Sequence, residues 1–564
     1  MEDAKQHFCP DDIQLFAECS WEVCNKIGGI YTVLSTKAVE LTKLFGNKLL
    51  FIGPDHGQNS DNGDSALFVE RKTLFKRFSS KNLPWDIKVR TGRWNIPGSP
   101  GVILVDFKTV FPRLNDIYGE MWNNFGVDSL HAYGDYDESC AFSVASAIVM
   151  MELMSHLKVE PGKCMAHFNE WTTGMGLLYL KLNNPDVATI FTTHATTIGR
   201  SICGNGKPLY QYFNNYNGNQ MAAELNVESK HSLEKAAAEG ADCFTTVSHV
   251  TARECEQLLG KNPDVVTPNG FEPSFVPSSA KWKKLRTQGR SKLLHIASLL
   301  WDKELDDNTV LVGTSGRNEF RNKGLDLFLE SMVRLAEKLN HSERKVVGLV
   351  MVPAWVKQPS GDLLVDMEFK GWIKPEPDYL THRLNNEDSD SIACNIRRLS
   401  QVMKDRGIDD RVKLVFIPSY LDCNDGIINI SYYDLLPAID ITVFASYYEP
   451  WGYTPLESVA FGVPTVTTDK AGFGQWVIET VPNSLLKSGV AVVNREDTNF
   501  NENVESISDI INHFINSSEE EKELIRDNAF DTASKAEWKE FIHFYGEAFA
   551  FADAKRNDRI HNIR

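Results

Sequence analysis

Four stretches of the chain concentrate side chains able to bind or move charge, and each adjoins a run of apolar, mostly β-branched residues. The most informative is Ser446-Tyr447-Tyr448-Glu449-Pro450-Trp451-Gly452-Tyr453-Thr454-Pro455-Leu456-Glu457-Ser458. Thr454 and Glu457 stand at the Thr-x-x-Glu spacing of a capping box with Pro455 at the first helical position, which predicts a helix starting here. Such a start leaves the backbone N–H groups of Trp451, Gly452, Tyr453 and Thr454 around a pocket, with Glu449 projecting ahead of them. Capping explains Glu457 without a ligand, whereas Glu449 in its Pro-Trp-Gly turn has no such structural duty. The second stretch runs from Gly313 to Gly324 behind Val310-Leu311-Val312 and carries Arg317, Arg321 and Lys323. Fixed cations at a strand end suit a departing diphosphate, whose oxygens gain charge in the transition state. Solvated loop charges are the plainer alternative.

The third stretch, Asn25-Lys26-Ile27-Gly28-Gly29-Ile30, leads into a helical pattern ending at Gly46. Paired glycines let backbone amides approach a phosphate at a helix N-terminus, although a tight turn needs the same residues. The fourth is a pair, His167-Phe168-Asn169-Glu170-Trp171 and Thr193-His194-Ala195-Thr196-Thr197-Ile198-Gly199-Arg200. Histidines so placed bind substrate or move protons, or are satisfied structural donors.

Open α/β sheets bind ligands beyond the carboxyl ends of their strands, so the strands that deliver these stretches define the architecture. In the first half they are Leu49–Ile52, Val102–Val105, Cys164–Phe168, Ala188–Thr193, Cys243–Val247 and Val265–Thr267, with helical stretches between. The pattern restarts with Val310–Val312, Val346–Val352, Val412–Phe416, Ile441–Phe444, Val463–Thr467 and Val490–Val493. Two doubly wound α/β domains are expected. The polar, turn-prone segment Pro277–Lys284 reads as their junction, which places the boundary near residue 280. Residues 359–407, with a helical pattern over Ile392–Met403, read as an insertion in the second domain, and Trp538–Asp553 as a helix packed against protein.

At 564 residues the chain exceeds what one core organises, and its formal charge of −17 argues against nucleic acid and anionic membrane as partners. The N-terminus has acids where a signal peptide needs a basic then apolar segment, and no apolar run is long enough to span a bilayer. Cytoplasmic residence is the expectation. Ten cysteines without a Cys-x-x-Cys pair or zinc-finger spacing are read as small buried hydrophobes.

Taken together, the Tyr-Tyr-Glu-Pro-Trp-Gly-Tyr-Thr-Pro-x-Glu string at 447–457, Gly-Arg-x-Glu-Phe-x-Asn-Lys-Gly at 316–324, Thr-His-Ala-Thr at 193–196 and Lys-Ile-Gly-Gly-Ile at 26–30 resemble glycogen synthases of the animal and fungal type, from about residue 18 to about residue 545. The resemblance implies a GT-B architecture: two Rossmann-like domains, 1–280 and 281–537, facing a cleft, with 538–564 a helix crossing back to the first. It implies retaining transfer of glucose from UDP-glucose to the non-reducing 4-hydroxyl of glycogen or another α-1,4-glucan, without a metal or other cofactor. Arg317 and Lys323 would neutralise the diphosphate, so the Asp-x-Asp strings at Asp135–Asp137 and Asp388–Asp390 are read as ordinary surface acids. Glu449 would hold donor-glucose hydroxyls and Glu457 the ribose while capping its helix. Gly28 and Gly29 would approach the diphosphate, and Tyr420 and Tyr432 would flank the base. Lys26, Asn169, His194, Arg200, Asn269, Trp451, Gly452, Tyr453 and Thr454 complete the implied donor site. Relatives associate through the insertion, so a homo-oligomer is among the expected partners. Front-face attack, in which the leaving phosphate helps deprotonate the acceptor, would explain retention without a nucleophile.

Three departures qualify the resemblance. The family has His where this chain has Asn169, and an amide hydrogen-bonds but cannot take up a proton. The arginine-rich helix that binds glucose 6-phosphate in relatives reads Glu519-Glu520-Glu521-Lys522-Glu523-Leu524-Ile525-Arg526-Asp527-Asn528 here, a field that would repel an anion, so no activation by that effector is expected. The Ser-rich tails of those relatives are missing, the expectation for a short, constitutively active form of bacterial type. Another retaining GT-B transferase using ADP-glucose or a small acceptor, and a catalytically silent glucan-binding protein, remain the alternatives. A phosphorylase would need lysine-bound pyridoxal phosphate.

Overall fold

The computed structural model describes residues 10–57, 64–81, 83–340, 342–368 and 378–563. They form two units, one of the described residues up to Glu272 together with those from Glu537, the other of Pro273–Ala536. The division falls at Pro273 rather than near 280, because the polar segment expected to be a junction is the start of a helix, Ser279–Trp301.

Unit 1 is built on a nine-stranded sheet: β1 Leu15–Cys19, β2 Leu49–Pro54, β3 Phe68–Glu70, β4 Lys88–Trp94, β5 Gly101–Asp106, β6 Cys164–Asn169, β7 Ala188–Thr193, β8 Cys243–Thr246 and β9 Val265–Val266. Their order is β3-β4-β5-β2-β1-β6-β7-β8-β9, parallel except for the antiparallel edge pairs β3–β4 and β4–β5. The central strands are buried along their whole length, which is why they read as unbroken apolar runs. Alternation along β1 sends Leu15, Ala17 and Cys19 into one core and Phe16 and Glu18 to the opposite face. There Phe16 stacks on Phe45 of helix Gly29–Phe45, with ring centroids 4.4 Å apart, and meets Phe549 of helix Trp538–Ile563. Trp538 fixes that last helix: its Nε1 donates to Thr36 Oγ1 (2.7 Å) and its backbone N–H to Phe271 O (3.1 Å). Helix Tyr136–Leu157 corrects one sequence reading, being long and apolar enough to span a bilayer by composition. Most of it is buried in the unit 1 core, which accounts for that composition.

Unit 2 carries six parallel strands, β10 Val310–Ser315, β11 Val346–Met351, β14 Val412–Ile417, β15 Ile441–Val443, β16 Thr465–Thr468 and β17 Val490–Val493, in the order β14-β11-β10-β15-β16-β17. Between β11 and β14, strands β12 Val356–Pro359 and β13 His382–Leu384 pair antiparallel, followed by helix Ser391–Asp405. Residues 369–377 of the expected insertion lie outside the described residues. In each sheet the chain fills one side before crossing to the other, so winding reverses between β1 and β6 in unit 1 and between β10 and β15 in unit 2. Diverging loops open a crevice at such a reversal, and the four singled-out stretches flank these two crevices.

Candidate functional site

In unit 2, Lys323 follows β10 and Glu449 follows β15. The backbone of one loop holds the other, since the amides of Tyr447 and Tyr448 both donate to Asn322 O (2.9 and 3.2 Å). Gly324, at φ 72°, makes that approach possible, because a Cβ there would sit 2.0 Å from Ala445 O. As a result the Lys323 ammonium pairs directly with Glu449 Oε2, each side chain 14% exposed. Neither is a solvated loop charge. Arg321 is committed elsewhere, to Asp497 (2.6 Å) and across the Tyr447 ring at 4.2 Å, while Arg317 is 61% exposed and pairs with Glu319 (3.1 Å). Arg317 and Lys323 thus come from one loop but are not brought together.

Helix Tyr453–Ala460 starts two residues before the expected position, with Gly452 at φ 106° as N-cap and no capping box. Thr454 is already inside the first turn, and Glu457 is freed from the capping role assigned to it. Its buried carboxylate accepts a hydrogen bond from Tyr433 Oη (2.7 Å), and burial raises its pKa while that bond lowers it. Tyr433, stacked on Phe275 and Phe461, is the partner that sequence reading missed in favour of its neighbour. Tyr432 instead bonds Ser315 at the end of β10 (2.9 Å). Tyr420, beyond β14, is 74% exposed. Trp451 is buried against Phe473, and Gly452 is buried while Tyr453 and Thr454 are half-buried. Asp390 is no surface acid: it N-caps helix Ser391–Asp405 through the amides of Ile392 and Ala393. Asp388, Asp135 and Asp137 pair with Arg397, Lys230 and Tyr118.

In unit 1, Asn169 ends β6 and His194 follows β7. Asn169 Nδ2 donates to Glu18 Oε1 (3.2 Å) and Cys19 O (3.3 Å), and its Oδ1 lies 3.1 Å from His194 Nε2. Glu18 also receives Lys37 Nζ (2.7 Å), and both are essentially buried. Sequence reading passed over this pair, although two signals mark it. Lys37 falls on the apolar stripe Val33, Leu41 of its helix, and Glu18 interrupts the strand Leu-Phe-Ala-Glu-Cys. Burial, Lys37 and His167 hold the His194 pKa down at about 3. Glu170, at φ 71°, accepts the His194 amide (2.8 Å), and burial and neighbouring Glu234 push its pKa up to about 8 against the pull of Arg200. Arg200 itself is exposed on helix Thr197–Gly204. Asn269 is buried beyond β9 with its Oδ1 unpartnered.

At Gly28 and Gly29 the structure places a carboxylate where a phosphate was expected. Glu22 Oε2 accepts from the amides of Gly28 and Tyr31, each at 2.8 Å, so this helix N-terminus is already capped by an anion. Lys26 is exposed beside Tyr31. Among the described residues no group of His, Cys, Asp and Glu is arranged to hold a metal ion.

Helix Glu519–Ser534 borders a cavity of about 870 Å³ in unit 2, and its field is not set by the helix's own acids alone, as the sequence suggested. Arg286 and Arg290 of helix Ser279–Trp301 line it with Lys522 and Arg526, but both arginines are bound to Asp440 (2.6 Å each) and Lys522 to Glu519 (2.9 Å).

A family model described as Glycogen synthase matches residues 18–366 and 373–559. The chain is 29% identical to the glycogen [starch] synthase of Caenorhabditis elegans over 94% of its length and 86% of that protein's. It is 30% identical to that of Neurospora crassa, covering 93% and 81% respectively. Among solved structures, the catalytic domain of starch synthase IV from Arabidopsis thaliana bound to ADP and acarbose superposes with a TM-score of 0.55 at 15% identity, over 96% of this chain and all of that one. A UDP-forming trehalose-phosphate synthase from Burkholderia xenovorans gives 0.52 at 10%, over 95% and 98%. These structural matches identify the GT-B fold.

Proposed function

Because the chain belongs to the glycogen synthase family, we propose that it transfers glucose with retention from UDP-glucose to the non-reducing 4-hydroxyl of an α-1,4-glucan, without activation by glucose 6-phosphate. The observation that carries this reading is the Lys323–Glu449 pair at the β10–β15 reversal, a cation and a carboxylate delivered from loops 126 residues apart to the place where this fold binds ligands.

The two groups suit the two halves of a nucleotide sugar. The Lys323 ammonium, with Arg317 from the same loop, donates to the diphosphate, whose charge grows as the bond to the anomeric carbon breaks. The Glu449 carboxylate accepts from donor-glucose hydroxyls, with the amides at the start of helix Tyr453–Ala460 beside it. Glu457 accepts from the ribose and Tyr420 offers an exposed ring to the base. On the acceptor side, the glucan 4-hydroxyl attacks the anomeric carbon from the face the phosphate leaves, and its proton passes to the departing phosphate oxygen. Retention on this route needs no enzyme nucleophile, and Glu449 is already assigned to hydroxyl binding. Insensitivity to glucose 6-phosphate is supported by the acids beside helix Glu519–Ser534, where Asp440 is shared by Arg286 and Arg290 and Glu519 pairs with Lys522, offsetting part of the positive charge that an anion would need.

Labelled-glucose transfer onto glycogen from UDP-glucose and from ADP-glucose, in EDTA, with and without glucose 6-phosphate, tests each element. Transfer from UDP-glucose, unchanged by chelator and effector, is expected. Preference for ADP-glucose would revise the donor, stimulation by the sugar phosphate would overturn the effector reading, and no transfer from either donor would leave a glucan-binding protein.

A further inference from the structure

At the β1–β6 reversal a line of polar contacts crosses the interior of unit 1. Lys37 Nζ donates to Glu18 Oε1, Asn169 Nδ2 donates to the same oxygen, and Asn169 Oδ1 faces His194 Nε2 at 3.1 Å. All four residues are buried. The direction of every proton follows from chemistry. A carboxylate accepts only, so the Asn169 NH2 must point to Glu18, and the amide oxygen left for His194 can accept but not donate. His194 Nε2 therefore carries a hydrogen. Its Nδ1 retains the lone pair, and no described residue bonds to it.

We infer that Asn169 is a positioning residue that fixes His194 in the neutral Nε2–H tautomer and so presents Nδ1 as a hydrogen-bond acceptor for a hydroxyl of the bound sugar. The sugar rests on the function proposed above; the tautomer does not. The Lys37–Glu18 ion pair orients the amide and polarises it, which strengthens the acceptor offered to His194. The other charged or titratable groups packed around this line are His167 on β6, whose Nδ1 lies 3.4 Å from Glu18 Oε1, Cys19 beside Glu18, Tyr545 of helix Trp538–Ile563, whose ring lies 4.4 Å from Lys37 Nζ, Glu170 after β6 and Arg200 beyond β7. His167 spends its Nε2 on Thr192 Oγ1 (2.6 Å), while Glu170 accepts the His194 backbone rather than its ring. No other side chain selects the His194 tautomer.

Two substitutions at one position should give pH dependences of opposite sign. Asn169→Asp places a second carboxylate against Glu18, and it can donate there only when protonated. Its transfer rate should match wild type in acid and fall about tenfold as pH rises toward 8, with donor KM changed far less. Asn169→His bridges both partners when neutral, but protonation removes its acceptor. Its rate should fall by a similar factor as pH drops below about 6. Profiles of both variants parallel to wild type would overturn the inference. Long-range nitrogen–proton correlation on the full-length protein with labelled histidine, His194 being identified by its loss in His194→Gln, reads the tautomer without activity or substitution at 169. A hydrogen on Nε2 is expected, and one on Nδ1 overturns the claim whether or not any variant folds. If no donor supports transfer, the proposed function fails while the spectrum still decides the role of Asn169.

Discussion

Lys323→Ala would leave the Glu449 carboxylate facing the β10–β15 crevice without its cation. Breaking a fully buried pair costs about 3–5 kcal/mol, but each partner here keeps 14% of its side chain in water, so about 2 kcal/mol is the reasoned loss. For a domain the size of unit 2 this lowers Tm by roughly 4–8 °C. Glu449→Gln removes the charge but keeps an acceptor, and should cost about half as much by stranding the ammonium. The two losses should not add. In the double variant Lys323→Ala/Glu449→Gln, neither charge is left stranded, so a coupling of about 1–2 kcal/mol is expected. Urea unfolding followed by a unit 2 tryptophan signal measures this, and transfer kinetics on the same proteins measure function. Lys323→Ala should lower kcat by about 10²–10³, the size expected for loss of one transition-state donor. Additivity within about 0.5 kcal/mol together with unchanged kcat would show that the pair is an ordinary surface bridge and would refute the placement of the donor site here.

Gly324→Ala, at φ 72° with its Cβ driven to 2.0 Å from Ala445 O, should destabilise unit 2 and abolish donor binding; Gly29→Ala, where nothing lies within 4 Å, should do neither, as unfolding and UDP-glucose titration would show. Glu170→Gln tests the buried carboxyl of unit 1. A folded pKa raised to about 8 stabilises the fold at low pH and loses that contribution as pH rises from the unfolded value through 8, by up to about 1.4 kcal/mol per pH unit. Unfolding from pH 5 to 8 should therefore show Glu170→Gln gaining on wild type, and parallel curves would contradict the raised pKa.

The strands were legible in the sequence because burial on both faces writes them as apolar runs, and the reversal rule then located both crevices. The antiparallel edge was not: Lys88–Trp94 is partly exposed, and intersperses Lys88, Arg90 and Arg93 among Val, Thr and Gly without an apolar run. Helix Ser279–Trp301 was hidden by its charge-rich first turns, where Lys281, Lys283 and Lys284 mimic a linker. In the site, residue types gave Lys323, Glu449, Asn169 and His194, but contacts between distant segments remained unreadable. Glu457 obeyed the capping-box spacing and was given a cap's duty, whereas the start of its helix was decided by Gly452, whose positive φ no spacing rule reports. Glu22 was invisible as a cap because it reaches forward six and nine residues.

The chain leaves unit 1 at Glu272 and returns only at Glu537, where Phe271 and Glu537 lie side by side as backbone partners and Trp538 packs on Gly270. On a ribosome adding about 5–20 residues per second, the intervening segment takes tens of seconds to emerge. Throughout that interval the face of β1 carrying Phe16 and Glu18, and the Lys37 ammonium that the Tyr545 ring will cover, wait for their last layer. Unit 2 needs no such wait. Order of birth is therefore inverted relative to order of completion: the segment translated second can mature first, and nascent unit 1 is the stretch for which a chaperone has most to shield.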